Sequence, residues 1–165
     1  MEFMHPKRIS RWITKPFVYV NGSNTRQRSW LFESASITER IKKHYVFDLE
    51  VISEQEEKLN EYEKKIMRMQ EDYSMVRRVR LFADKQQFVL AKSIIPEDTK
   101  KYGYSDLENL GNKPLGNLIF TSNKFIKKNV LFAKFELTSK IYWGRITTFD
   151  VGGYPMSIRE IFCIE

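Results

Sequence analysis

Residues 77–96, RRVRLFADKQQFVLAKSIIP, read as a strand, a turn near Lys85 and Gln86, and a second strand that Pro96 ends because it cannot donate to a ladder. Side chains alternate along a strand with period 2. Arg77, Val79, Leu81 and Ala83 therefore share one face, and Arg78, Arg80, Phe82 and Asp84 share the other. Three of the first four are apolar, so that face turns to the core and carries Arg77 with it. The second strand sets Val89, Ala91, Ser93 and Ile95 against Phe88, Leu90, Lys92 and Ile94. Near the C-terminus the same anomaly recurs with the opposite sign. Met156, Ile158, Glu160, Phe162 and Ile164 fall on one face, and Glu160 is its only charge. A lone arginine and a lone glutamate, each on an apolar face, point to a buried polar site.

The remaining chain supplies more strands and a few short helices. Residues 1–25 hold Pro6, Pro16 and an Asn21-Gly22-Ser23 turn, and read as a less regular segment. Trp30, Leu31 and Phe32 begin a helical patch. Ser36 with Glu39 has capping-box spacing and opens a helix through His44. Tyr45, Phe47, Leu49 and Val51 alternate with Asp48 and Glu50 as a half-buried strand. A second box, Ser53 with Glu56, predicts an amphipathic helix over 53–70, with Leu59, Tyr62, Ile66 and Met69 inward. A third, Ser105 with Glu108, opens a short helix stopped at Gly111, and another runs from the following turn through Phe120. Strands follow over 129–137, 144–151 and 154–164, the last two joined at Gly152-Gly153, a strong hairpin signal. About six strands with mostly hairpin connections predict an α+β fold. Its single antiparallel sheet carries helices packed on one side.

Composition narrows the function. A chain of 165 residues with 42% hydrophobic content is expected to form one domain, 1–165, with a real core. One cysteine, Cys163, leaves no internal disulfide and no Cys-rich metal site, and His5 and His44 offer no zinc spacing. No apolar run approaches a bilayer span, and the N-terminus lacks the apolar stretch of a secretory signal. The expectation is a cytoplasmic protein without stable membrane insertion. A net charge of +7 favours anionic partners. The basic residues are scattered and most aromatics alternate inward, so a small acid is preferred to nucleic acid. Ala91, small within a strand, is either filler or a point of close approach.

Several elements taken together resemble the chorismate lyase family. They are the 77–96 block, Leu110-Gly111-Asn112-Lys113-Pro114-Leu115-Gly116, Trp143-Gly144-Arg145, and Pro155 with Glu160 and Phe162; Trp30-Leu31 and residues 36–40 extend the likeness over roughly 28–164. The resemblance implies an enzyme that removes the enolpyruvyl group of chorismate as pyruvate, leaving 4-hydroxybenzoate for ubiquinone (or plastoquinone) synthesis. It implies a monomer, no metal or organic cofactor, and helical flaps over a closed pocket; an organelle-encoded relative would work in a plastid stroma. It also implies roles for five residues. Arg77 would pair with the ring carboxylate, and a planar guanidinium suits that task. Glu160 would meet the 4-hydroxyl. Ala91 and Leu115 would form pocket wall, and Ile37 would lie on a flap. Because a related fold serves as the effector domain of some transcription regulators, the alternative is a non-catalytic sensor of small aromatic acids.

Overall fold

The computed structural model describes residues 5–165. One curled antiparallel sheet of seven strands runs in the order β1-β5-β6-β7-β4-β3-β2. In chain order the elements are β1 (Lys7–Arg8), α1 (Lys15–Val20), α2 (Thr25–Leu31), α3 (Ile37–His44), β2 (Phe47–Lys58), α4 (Glu61–Met67), β3 (Tyr73–Ala83) and β4 (Gln86–Ile94). A π turn (Thr99–Gly103) and a 3-10 turn (Ser105–Asn109) lead to α5 (Leu115–Thr121), then β5 (Phe125–Leu137), β6 (Lys140–Val151) and β7 (Tyr154–Phe162). This is the α+β architecture that the hairpin spacing predicts. No helix among the described residues is long and apolar enough to cross a membrane.

Three tight hairpins set the register. Asp84–Lys85, Thr138–Ser139 and Gly152–Gly153 each place two successive residues at positive φ, the twist that matches two-residue hairpins. The first turn therefore sits one residue earlier than expected. Across β3, β4, β7 and β6, Val79, Ala91, Glu160 and Arg145 form one row of partners. Arg77, Ser93, Ile158 and Thr147 form the next row of the same face. On this face Val79, Leu81, Val89, Trp143 and Phe162 pack beneath α2 and α3. Phe149, Val151 and Met156 pack with Leu107, Leu110 and Leu115 from the loop and α5.

The other face is covered by α4, the one helix set apart from its fellows. Met67 joins Leu59, Val76 and Ile94 there. Beside them the Lys92 ammonium pairs with Glu63, both nearly buried. Arg78 grips Glu57 with Nε and Nη2, each at 3.0 Å. Burial pushes the Glu57 carboxyl up, but the hydrogen bond and charge of Arg78 outweigh it, and its pKa lies below the ordinary 4.5. A depressed carboxylate contributes stability that is present above its unfolded pKa and is lost as pH falls through the folded one. Glu57→Gln should therefore flatten the acid limb of the stability curve below about pH 4.5, as read by urea unfolding at stepped pH.

Three expectations need correction. The segment 53–58 is strand, not helix: after a bulge between Val51 and Ser53, β2 continues paired to β3 as far as Lys58. Only Glu61–Met67 is helical, and its capping box is Asn60 with Glu63. The second correction is at 105–109, a 3-10 turn without a side-chain cap. The third is the N-terminal segment, which folds into β1, α1 and α2, so Trp30 and Leu31 end a helix. Pro16 stands in the first turn of α1, where its missing N–H costs nothing. Residues 1–4 lie outside the described residues.

Candidate active site

The site is assembled on the concave row that carries Glu160. Glu160 on β7 lies opposite Arg145 on β6, and Arg145 Nε donates to its Oε1 at 2.8 Å. Nη1 of the same guanidinium donates to the Leu31 and Glu33 carbonyls at 3.0 and 2.6 Å, tying the end of α2 to the sheet. Nη2 donates to no described residue. Close strand packing explains the glycine that precedes Arg145. A Cβ on Gly144 would lie 2.8 Å from the Phe135 ring and 2.9 Å from the Glu160 carbonyl oxygen. Gly144→Ala should overpack this crossing by about 2 kcal/mol and lower Tm by about 5 °C, measured by calorimetry.

Arg77 stands two strands away on the same face and is 2% exposed. Its Nη2 donates to the carbonyls of Gly111 and Lys113, at 2.8 and 3.1 Å. Those two residues belong to the LGNKPLG turn, in which Gly111 has φ +53° and Pro114 caps α5. The guanidinium thus anchors the loop that delivers Leu115 and Gly116. Its Nε is buried with no acceptor. Burial pushes the Arg77 pKa down, and the Glu54 carboxylate opposes that shift.

Between Glu160 and the helices lies a cavity of about 70 Å³, lined among others by Ile37, Thr38, Gly116, Lys127, Arg145 and Glu160. Its roof is α3 from one side and α5 from the other. They meet where a Cβ on Gly116 would sit 3.3 Å from the Ser36 hydroxyl. A dry cavity of roughly 150 Å³ holds one benzene ring, so the roof must lift before a benzoate enters.

The five residues singled out from sequence are not all brought to this cavity. Glu160 and Ile37 line it. Ala91 is buried between Val79 and Glu160 in the same row of the sheet. Leu115 is the first residue of α5 and is buried in the cluster of Leu107, Leu110 and Phe149. Arg77 shares the face of Glu160, but Ser93 stands between it and Ile158, which lines the cavity in the same row. Nor are the two lone charges each without company: Glu160 has Arg145, and Arg77 has two backbone carbonyls. Arg145 was legible by the argument that found Glu160, since it alternates with Trp143, Thr147 and Phe149 on the inward face of β6. Lys127, exposed on β5, carried no such signal. Among the described residues no cluster of His, Cys, Asp and Glu could hold a metal.

The fold defines a class first. The effector domain of PhnF from Mycobacterium smegmatis superposes with TM-score 0.58 at 11% identity, covering 79% of this chain and 90% of that one, a likeness of fold alone. Sequence goes further, since residues 19–165 match the family described as chorismate lyase. A "probable chorismate pyruvate-lyase" of Pseudoalteromonas translucida is 26% identical over 153 residues, 84% of each chain. A "chorismate pyruvate-lyase" of Hamiltonella defensa is 29% identical, over 81% of this chain and 75% of its own. The chain belongs to the chorismate lyase family.

Proposed function

We propose that the protein converts chorismate to 4-hydroxybenzoate and pyruvate, supplying the ring for ubiquinone or plastoquinone synthesis in the cytoplasm or a plastid stroma. The observation that carries this reading is a buried guanidinium N–H without an acceptor, on the sheet face that also holds Glu160. A buried unsatisfied donor costs about 1–3 kcal/mol, and a bound carboxylate would remove that cost. From strand spacing and rise, the Cα atoms of Arg77 and Glu160 are about 12 Å apart, a span that one flat acid bridges between two inward side chains.

In this reading Arg77 holds the ring carboxylate and Glu160 accepts from the C4 hydroxyl. Ile37, Ala91 and Leu115 form apolar surroundings, and the raised roof closes over the ring. The C4–H bond then breaks, its electron pair completes the aromatic ring, and the C3–O bond releases enolpyruvate. Protonation of its methylene gives pyruvate, so no atoms are gained or lost overall. Aromatisation drives the step. Fixing ring and side chain in a reactive conformer could supply about 7–11 kcal/mol in favourable systems. Incubation with chorismate should yield 4-hydroxybenzoate by absorbance and an equal amount of pyruvate by a coupled assay. Binding of 4-hydroxybenzoate with no turnover would instead favour a sensor.

A further inference from the structure

Chorismate carries two carboxylates, and the product keeps only one. The cavity beside Glu160 carries two cationic side chains, Lys127 and Arg145. Four charged residues line it: Glu33, Lys127, Arg145 and Glu160. Two of them are balanced locally. Glu160 accepts from Arg145 Nε, and the Glu33 carboxylate lies 3.8 Å from Arg40 Nη1. Lys127 forms no ion pair among the described residues, and Arg145 keeps its Nη2 unused. Burial pushes the Lys127 pKa down, the charge of Arg145 adds to that shift, and Glu160 opposes it, which sets the three groups within each other's fields.

We infer that Lys127 and the Nη2 edge of Arg145 form an anion subsite that receives the enolpyruvyl carboxylate of chorismate. The inference rests on the lyase reading above and deepens it. In that reading the C4 hydroxyl meets Glu160. Arg145, hydrogen-bonded to Glu160, stands at the hydroxyl end of such a ring, and the C3 ether is the substituent adjacent to C4. The side-chain carboxylate is a short ether arm beyond. Lys127 is exposed, so the arm points to the solvent side of the cavity. Arg77 is committed elsewhere: its Nη2 donates to the Gly111 and Lys113 carbonyls, and its Nε is given to the ring carboxylate in the reading above. The subsite binds substrate and pyruvyl fragment but not the aromatic product, so it favours entry of chorismate without tightening product retention.

The test is a paired measurement on Lys127→Met and Lys127→Arg. KM for chorismate should rise about tenfold in the methionine variant, the low end for a lost hydrogen bond to a charged group. The arginine variant should stay within a few-fold of the parent. The dissociation constant of 4-hydroxybenzoate, by calorimetry, should be unchanged in both. An unchanged KM in K127M overturns the subsite, as does a parallel loss of product affinity, which would mark a general field effect or a structural defect. Absence of turnover in the unmodified protein would overturn the lyase reading and the subsite with it, while an active parent with an indifferent K127M overturns the subsite alone.

Discussion

Arg77→Lys will lower kcat/KM for chorismate by about ten- to a hundredfold, because losing a buried hydrogen bond to a charged group costs about 1.5–3 kcal/mol. Lysine keeps the charge, but its compact ammonium cannot reach the Gly111 and Lys113 carbonyls and a ligand together in the way a guanidinium does. Product affinity should fall alongside, since the ring carboxylate is common to substrate and product. That parallel fall separates Arg77 from Lys127, whose replacement acts on the substrate alone. Circular dichroism and a urea titration will show whether the variant keeps its fold. A folded Arg77→Lys protein with parental kinetics would remove Arg77 from the site.

Glu160 gives the second large effect, and two replacements divide its roles. Glu160→Ala strands the Arg145 charge in a nearly buried setting, where breaking such a pair costs about 3–5 kcal/mol. Its midpoint of unfolding should therefore drop sharply. Glu160→Gln keeps an acceptor for Arg145 Nε and should lose much less stability. Turnover should fall in both, by about tenfold or more in the glutamine variant, where a hydrogen bond to a charged acceptor becomes a neutral one. The double variant Glu160→Ala with Arg145→Met removes both charges, so it should regain part of the stability without regaining turnover. Equal activity of Glu160→Gln and the parent would leave the carboxylate a structural role only.

The features that placed the site were readable because they are period-2 patterns in strands with one buried face. β3, β4 and β7 show Arg77, Ala91 and Glu160 on the inward side, and the sheet register brings them to one face. What alternation does not encode is which strands become neighbours. β6 pairs with β7, so Glu160 is answered by Arg145 and not by Arg77. Two of the misread elements have a plain physical cause. Residues 53–58, SEQEEK, favour helix by propensity, but pairing along β3 holds them extended. Pro16 reads as a breaker until its place in a first helical turn is known. Thr138–Ser139 makes a tight left-handed turn without glycine, a conformation that propensity alone disfavours. The roof cavity belongs to tertiary packing of α3 against α5, and no local pattern reports it.

The most direct measurement is a crystal structure of the protein soaked with 4-hydroxybenzoate. One ring is expected beneath a lifted α3–α5 roof, its carboxylate on Arg77 Nε and its hydroxyl on Glu160. A ring bound away from this face of the sheet, or bound here with its carboxylate on Arg145 and nothing at Arg77, would contradict that placement.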